Sequence, residues 1–387
     1  MVTTRFQDDD PWTRYAELRG TGPVHRDPDT GEFVVVGHPE AVAAFTAPEL
    51  VSGHPFRASR RLFGPTVIDL DGPVHARIRG AFSVAFRRSR LRAYEAEIVE
   101  PAVLALTSAT SGEVDAVAAI ARPLPMLVMA GLLALPVADV DWLCNTAEPI
   151  GEFLDYGGID LADARVNLRQ LTAYVRERIN RRELGGPLGS ELLAGIAQHR
   201  LSADEVVANV VLLLVGGVAT TANAIANVLG VVSQNRDLAA RLRRGQVDSI
   251  EVTREALRLQ PPVRFTPRVT QRAVRLANVE IPAHAVVQLC LPSANRDPRV
   301  FGDPDEFRLD RANGATLTFG RGLHACIGGA LGEMEAAAAA RALSATGPLD
   351  LVVPVRLARG RNFRRAAAVL VRPARGLARR GQSAADA

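Results

Sequence analysis

Cys326 stands in the run Phe319-Gly320-Arg321-Gly322-Leu323-His324-Ala325-Cys326-Ile327-Gly328, one thiol among small and flexible residues. Three glycines permit a tight turn and a close approach of the backbone to something flat. The small, apolar stretch 327–340 predicts a helix that starts beside the sulfur. Backbone N–H groups and the positive end of that helix would favour the thiolate, the form of cysteine that attacks or ligates. The competing reading is a buried thiol that packs as a small hydrophobe. With only Cys144 and Cys290 besides, the cysteines are too few and too scattered for a disulfide framework.

Other polar groups stand where an element could aim them. Ser202-Ala203-Asp204-Glu205 has the form of a capping box, with Ser at the N-cap and Glu three residues on. The apolar helix it opens runs about thirty residues, roughly 45 Å. Gly216 and Gly217 interrupt its centre at a cost of about 1 kcal/mol each relative to alanine. Such residues persist where something must approach closely or where the ladder bulges around a ligand. The hydroxyl of Thr220 could then reach that ligand or a water; alternatively, Thr220 and Thr221 bond back to carbonyls one turn earlier. Upstream, Pro73 suits the first turn of a helix on which His75 and Arg79, four apart, share a face. Two donors on one face can clamp a carboxylate. Glu255 and Arg258 lie one helical turn apart, the spacing of a local ion pair.

Together these segments resemble the cytochrome P450 family, from about Asp71 to the end of the Cys326 helix. The resemblance implies a mainly α fold with a minor β portion, a triangular prism of helices around haem. It implies one haem-thiolate oxygenase domain over 1–380, with 381–387 a frayed tail. Cys326 would ligate the iron of haem b, and Phe319 would belong to the same cofactor-binding loop. His75 and Arg79, with Arg268 and His324, would hold the haem propionates. Gly216, Gly217, Ala219 and Thr220 would form the oxygen-activating stretch. In the family an acid usually precedes the threonine; here that position is Ala219. Protons would then come through Thr220 and water or from the substrate, or the enzyme would use peroxide, or catalyse coupling or dehydrogenation. Glu255 and Arg258 would be structural, tied to a third member, Arg296 or Arg311. Pro261-Pro262-Val263 and Ala294-Asn295-Arg296-Asp297-Pro298 match as well, while His284 occupies a turn position where glycine is usual. Phe63, Val67, Ile68, Val218, Val263, Phe265 and Phe363 are candidate walls of an apolar substrate pocket. Arg264 would either anchor a substrate carboxylate or face solvent.

Composition sets the outer limits. A chain of 387 residues with 48% apolar content can bury a large core. Residues 1–70 mix short helices and strands, with a strand expected at Glu32–Val36. Helix dominates from Pro73 to about Thr346 except between Pro262 and Leu291, and strands return at Leu351–Val355 and Ala368–Val371. Lysine is absent and arginine abundant, giving a net charge of +4. The arginines are not interleaved with aromatics, and no nucleic-acid motif occurs, so nucleic acid is not an expected partner. The N-terminal stretch reads as neither signal peptide nor anchor, and the apolar runs at 126–138 and 210–219 are too short or interrupted to span a bilayer. A soluble, cytoplasmic monomer is expected. No nucleotide fingerprint, flavin module or iron–sulfur cysteine cluster occurs, so electrons would come from a separate ferredoxin and its reductase. Arg77, Arg87, Arg88, Arg90 and Arg92 would form the basic patch that attracts such an acidic donor. A reading from another class is a haem-free activating partner of a biosynthetic enzyme, which the intact set Cys326, His75, Arg79 and His324 argues against.

Overall fold

The computed structural model describes residues 11–54, 57–108, 112–155, 161–311, 315–358 and 360–374, so the expected C-terminal tail lies outside it. Five helices position the site. Helix α1, Gly72–Ser83, carries its proline in the first turn and buries His75, Ile78 and Phe82. Helix α2 spans Val140–Leu154 with Pro149 inside it. The long helix α3 covers Ala203–Gln234. Its capping box forms: Ser202 Oγ accepts the Glu205 N–H at 3.1 Å and the Glu205 carboxylate accepts the Ser202 N–H at 2.9 Å. At Leu213–Gly217 the ladder widens to a π-bulge, directly before Thr220. Helix α4, Ser249–Leu259, is capped by Asp248, and α5, Gly329–Ala345, follows the cysteine loop.

Alanine and glycine along α5 explain its central place. Small side chains let another helix approach closely, and Gly332 sits against Thr221 of α3: a β-carbon there would lie 3.6 Å from Thr221 Oγ1. By length and composition α3 could cross a membrane, yet half of its most apolar window is buried inside this fold. It packs against both α4 and α5. That is the pattern of a core helix, hydrophobic nearly all round.

Strands β1 (Val24–Arg26), β2 (Phe33–Val35), β3 (Leu50–Val51), β4 (Phe265–Thr270) and β5 (Val286–Cys290) form one sheet in the order β1-β2-β5-β4-β3. The β2–β5 pair is parallel and the other pairs are antiparallel. A second sheet joins Val114–Asp115, Leu370–Pro373 and Leu349–Leu351. Its first strand falls in the stretch expected to be helical. Two residues are too few to show alternation, so periodicity could not find it.

Candidate active site

The cysteine loop is built from both sides. Gly322 takes φ +74, and a β-carbon there would lie 2.8 Å from the Phe45 carbonyl, so only glycine fits. The Cys326 N–H donates to the Phe319 carbonyl at 2.8 Å, and the Phe319 ring packs on Gly329 at the start of α5. Cys326 is solvent-accessible. Surrounding protein nonetheless pushes its thiol up: burial outweighs the Gly328 N–H and the Arg79 charge that act the other way. A recess walled by protein reconciles the two observations. The helix end alone therefore does not make the thiolate; a bound cation would, since a coordinating thiol is deprotonated outright.

The polar groups expected to meet a flat, acidic ligand converge beside this loop. The His75 and His324 rings stack with centroids 4.3 Å apart. His324 Nε2 is hydrogen-bonded to Asp71 Oδ1 at 2.9 Å. Burial would raise the Asp71 carboxyl, but His324 and the N–H groups of Gly53 and Ser52 hold it at about 2. Burial, with His324 and Arg79 as neighbours, lowers His75 to about 4. Arg79 Nη2 donates to the Ala325 carbonyl at 2.6 Å, one residue from the cysteine. Arg268, on β4, is 4% exposed and, among the described residues, donates only to Pro267 and Thr266 of its own strand. Burial and the nearby Arg57 charge bring its guanidinium down to about 10.

These side chains fit a haem. His75 Nε2 is buried without a hydrogen-bond partner among the described residues. Neither Arg79 nor Arg268 has a carboxylate partner among the described residues. Guanidiniums withdrawn from water, fully for Arg268 and partly for Arg79, are normally paired, and a ligand with two carboxylates would supply what both lack. Cys326 would take the metal, and Arg79, Arg268, His75 and His324 the carboxylates. Arg57 is a member that sequence reasoning missed. It is half-buried, donates to the Ile68 carbonyl at 2.6 Å, and lies 3.5 Å from Asp69 Oδ1. Its proximity to Arg268 joins positions more than two hundred residues apart, which no local pattern announces.

In α3, Thr220 Oγ1 donates to the Gly216 carbonyl at 2.7 Å, the back-bond weighed above as the alternative. The π-bulge lies at that same carbonyl. Ala219 faces α2: a β-carbon on Gly151 would lie 3.4 Å from its methyl.

The structural core resolves to a single arrangement. Arg258 grips Glu255 with two bonds of 2.8 Å, and Arg311 Nε joins the same carboxylate at 2.9 Å. Arg296 is not the third member. It reaches Asp305 and the Leu259 carbonyl and stacks on Trp12, because the turn that follows the short helix Leu291–Ala294 points it toward the N-terminal helix. Arg258 also donates to the Asn295 carbonyl, and the Asn295 side chain bonds the Leu317 N–H and Thr318 hydroxyl. The ion pair thus reaches the cysteine loop through three residues.

The expected pocket walls do not all gather. Phe63, Val67, Ile68 and Val218 share the main core, and Val67 N–H donates to Asn209 of α3 at 2.8 Å. Val263 pairs with Phe363 across an antiparallel bridge. Phe265 is a correction: it packs with Tyr15, Leu18, Val36 and Cys290 in a separate cluster. Arg264 is another. It neither faces solvent nor stands open to a substrate, but donates to the Gly360 carbonyl and to Tyr15 Oη. Within the expected basic patch, Arg77 pairs with Glu205 and Arg90 with Glu191, while Arg87, Arg88 and Arg92 are exposed.

A mainly helical fold with an accessible loop cysteine beside His75, His324 and Arg79, and with a bulged central helix, has the build of a haem-thiolate enzyme. Residues 249–342 match the Cytochrome P450 family model. Over 364 residues the chain is 31% identical to the cytochrome P450 monooxygenase PikC of Streptomyces venezuelae, covering 89% of this chain and 86% of that protein. It is 32% identical over 348 residues to the cyclomarin C epoxidase CymV of Salinispora arenicola, covering 84% and 85%. The solved structure of CxnD, a cytochrome P450 enzyme for C–S bond formation in chuangxinmycin biosynthesis, superposes with a TM-score of 0.85 at 26% identity, covering 94% of each chain. The chain belongs to the cytochrome P450 family, and it is a P450-type monooxygenase.

Proposed function

We propose that this protein oxidises a small organic molecule of specialised metabolism, most simply by hydroxylation, in the bacterial cytoplasm. Its cofactor is haem b on Cys326, and its electrons come from a separate ferredoxin and reductase. The observation that carries the reading is the convergence of Cys326 with the buried Arg268 and half-buried Arg79, which lack carboxylate partners among the described residues, and with the orphaned His75 Nε2. Relatives named for biosynthetic oxidations support the substrate class.

The chemistry that bound haem supplies is activation of dioxygen for attack on an organic bond. The chain contributes position and protons. Cys326 would hold the metal, and the Glu255–Arg258–Arg311 core supports its loop. Thr220, whose hydroxyl bonds the Gly216 carbonyl inside the bulge, can trade that bond for one to water and pass on a proton. Val218, Val263 and Phe363 keep the substrate side apolar and exclude bulk water.

One feature favours a second reading. Ala219 provides no carboxyl where the family usually has one, so a less proton-demanding oxidation, such as coupling or use of peroxide, also fits. That a structural neighbour is named for C–S bond formation is in keeping with coupling.

The test is the absorption spectrum of the reduced protein under carbon monoxide, beside Cys326→Ala. A red-shifted Soret band that disappears in the variant supports the reading. An iron-free preparation that stays colourless when refolded with haem overturns it in favour of the activating-partner class. Turnover with peroxide that matches turnover with reduced ferredoxin selects the second reading.

A further inference from the structure

Helix α2 lies across α3 and ends at a carboxylate that holds a distant turn. Gly151 stands against the Ala219 methyl, and one helical turn later Asp155 closes the helix. Asp155 Oδ1 accepts the N–H groups of Asn362 and Phe363, both at 2.7 Å. Its backbone carbonyl accepts the Arg361 N–H at 3.3 Å, and Asn362 Nδ2 donates to the Leu154 carbonyl at 3.0 Å. The fit is tight: a β-carbon on Gly360 would lie 2.2 Å from Asp155 Oδ2 and 2.7 Å from the Phe363 carbonyl.

The far side of the turn is held differently. The Arg264 N–H donates to the Asn362 carbonyl at 2.7 Å, the Arg364 N–H to the Pro262 carbonyl at 2.8 Å, and Phe363 bridges Val263. Backbone ladder therefore fixes the turn to the segment before β4. Its tie to α2 is of another kind, resting on one carboxylate and the cap around it. More than two hundred residues separate the two partners.

We propose that Asp155 is a positioning residue that fixes the separation between α2 and the Phe363 wall, and so sets the size of substrate admitted beside Thr220. The proposal rests on the assignment of Phe363 and the centre of α3 to the substrate pocket. If Asp155 were only a local cap, its loss would lower stability without regard to ligand size. If it sets a dimension of the pocket, its loss changes affinity for large ligands and spares small ones. Two short bonds to backbone N–H groups require an acceptor at Oδ1, not a charge, so asparagine should serve where alanine does not. Burial pushes the Asp155 carboxyl up, in line with an acceptor that needs no ionisation.

The experiment uses the haem-loaded full chain as wild type, Asp155→Asn, Asp155→Ala and Gly360→Ala. Each is titrated with imidazole and with 4-phenylimidazole, followed by the Soret shift, and melted in parallel. The expected result is an imidazole Kd within about twofold in all four, while the 4-phenylimidazole Kd moves about tenfold in Asp155→Ala and Gly360→Ala and returns near wild type in Asp155→Asn. Gly360→Ala disturbs the same contact from the other side, so the question survives poor folding of either variant. Equal changes for both ligands, or a lowered Tm with neither Kd moved, overturns the proposal. Failure of wild type to answer either azole would instead remove the haem-thiolate reading on which it rests.

Discussion

Glu335 lies on α5 nine residues past the cysteine, 4% exposed, with Oε2 unpartnered. Burial alone pushes its carboxyl up to about 8, and no charged group opposes the shift. The folded chain thus keeps this proton across neutral pH, whereas the unfolded chain releases it near the ordinary glutamate value, about 4.3. Between those limits the folded state binds more protons, so stability falls as pH rises, and the slope vanishes below and above. Glu335→Gln keeps the shape and removes the slope. Melting curves at pH 5 and pH 8 should show the variant gaining on wild type at the higher pH, by up to a few kcal/mol; parallel lines would mean that the carboxyl has a partner in solution. At Ala219 the question is catalytic. If proton supply limits turnover, Ala219→Asp should raise the fraction of electrons that reach product, and Thr220→Ala should increase peroxide release by about tenfold, short of the roughly 10²–10⁴ span of general acid catalysis because water partly replaces the hydroxyl. Unchanged coupling in both would assign the protons to the substrate or to a chemistry that does not need them.

Elements show which sequence signals carry position. The capping box at Ser202 and the paired glycines at 216 and 217 marked the start of α3 and its bulge, because both act within one or two turns. His284 behaves likewise. Its φ is +61, the left-handed conformation that glycine adopts freely and other residues adopt at a cost. Its N–H donates to the Thr270 carbonyl, so the turn leading into β5 depends on that strained residue. His284→Gly should relieve about 1 kcal/mol of strain, partly offset by the greater chain entropy of glycine. Urea unfolding should show a higher midpoint at unchanged m-value. A lower midpoint would mean that the imidazole contributes more than the backbone loses. The opposite case is α2, whose bearing on the site was not legible. Nothing in 140–154 says that Gly151 meets Ala219 or that Asp155 meets Phe363, because both contacts join segments far apart in the chain.

Across the whole molecule, the cysteine loop, the His75/Arg79 spacing and the Glu255–Arg258 pair could be read from sequence, since each is a short-range geometric requirement. The third member of the ion network could not, and Arg311 rather than Arg296 took it. The difference lies in the path of 297–311, where Arg296 is drawn to Asp305 and Trp12. Arg57 and the true environment of Phe265 escaped for the same reason. Charge was legible only as composition, and the fold decides which arginines remain available. Arg77 and Arg90 are occupied by Glu205 and Glu191, so a reductase-side donor would meet Arg87, Arg88 and Arg92 around the helix that begins at Arg88. Exposed charges steer encounter more than they hold a complex. Arg88→Glu combined with Arg92→Glu should therefore raise the KM for an acidic ferredoxin about tenfold at low salt and leave kcat nearly unchanged. The penalty should shrink as ionic strength rises and the Debye length falls below about 8 Å. Arg77→Ala, which removes a charge already paired, should change that KM little. A deficit in the double variant that persists at high salt would place the docking surface elsewhere, because a loss of steering cannot outlast the field that causes it.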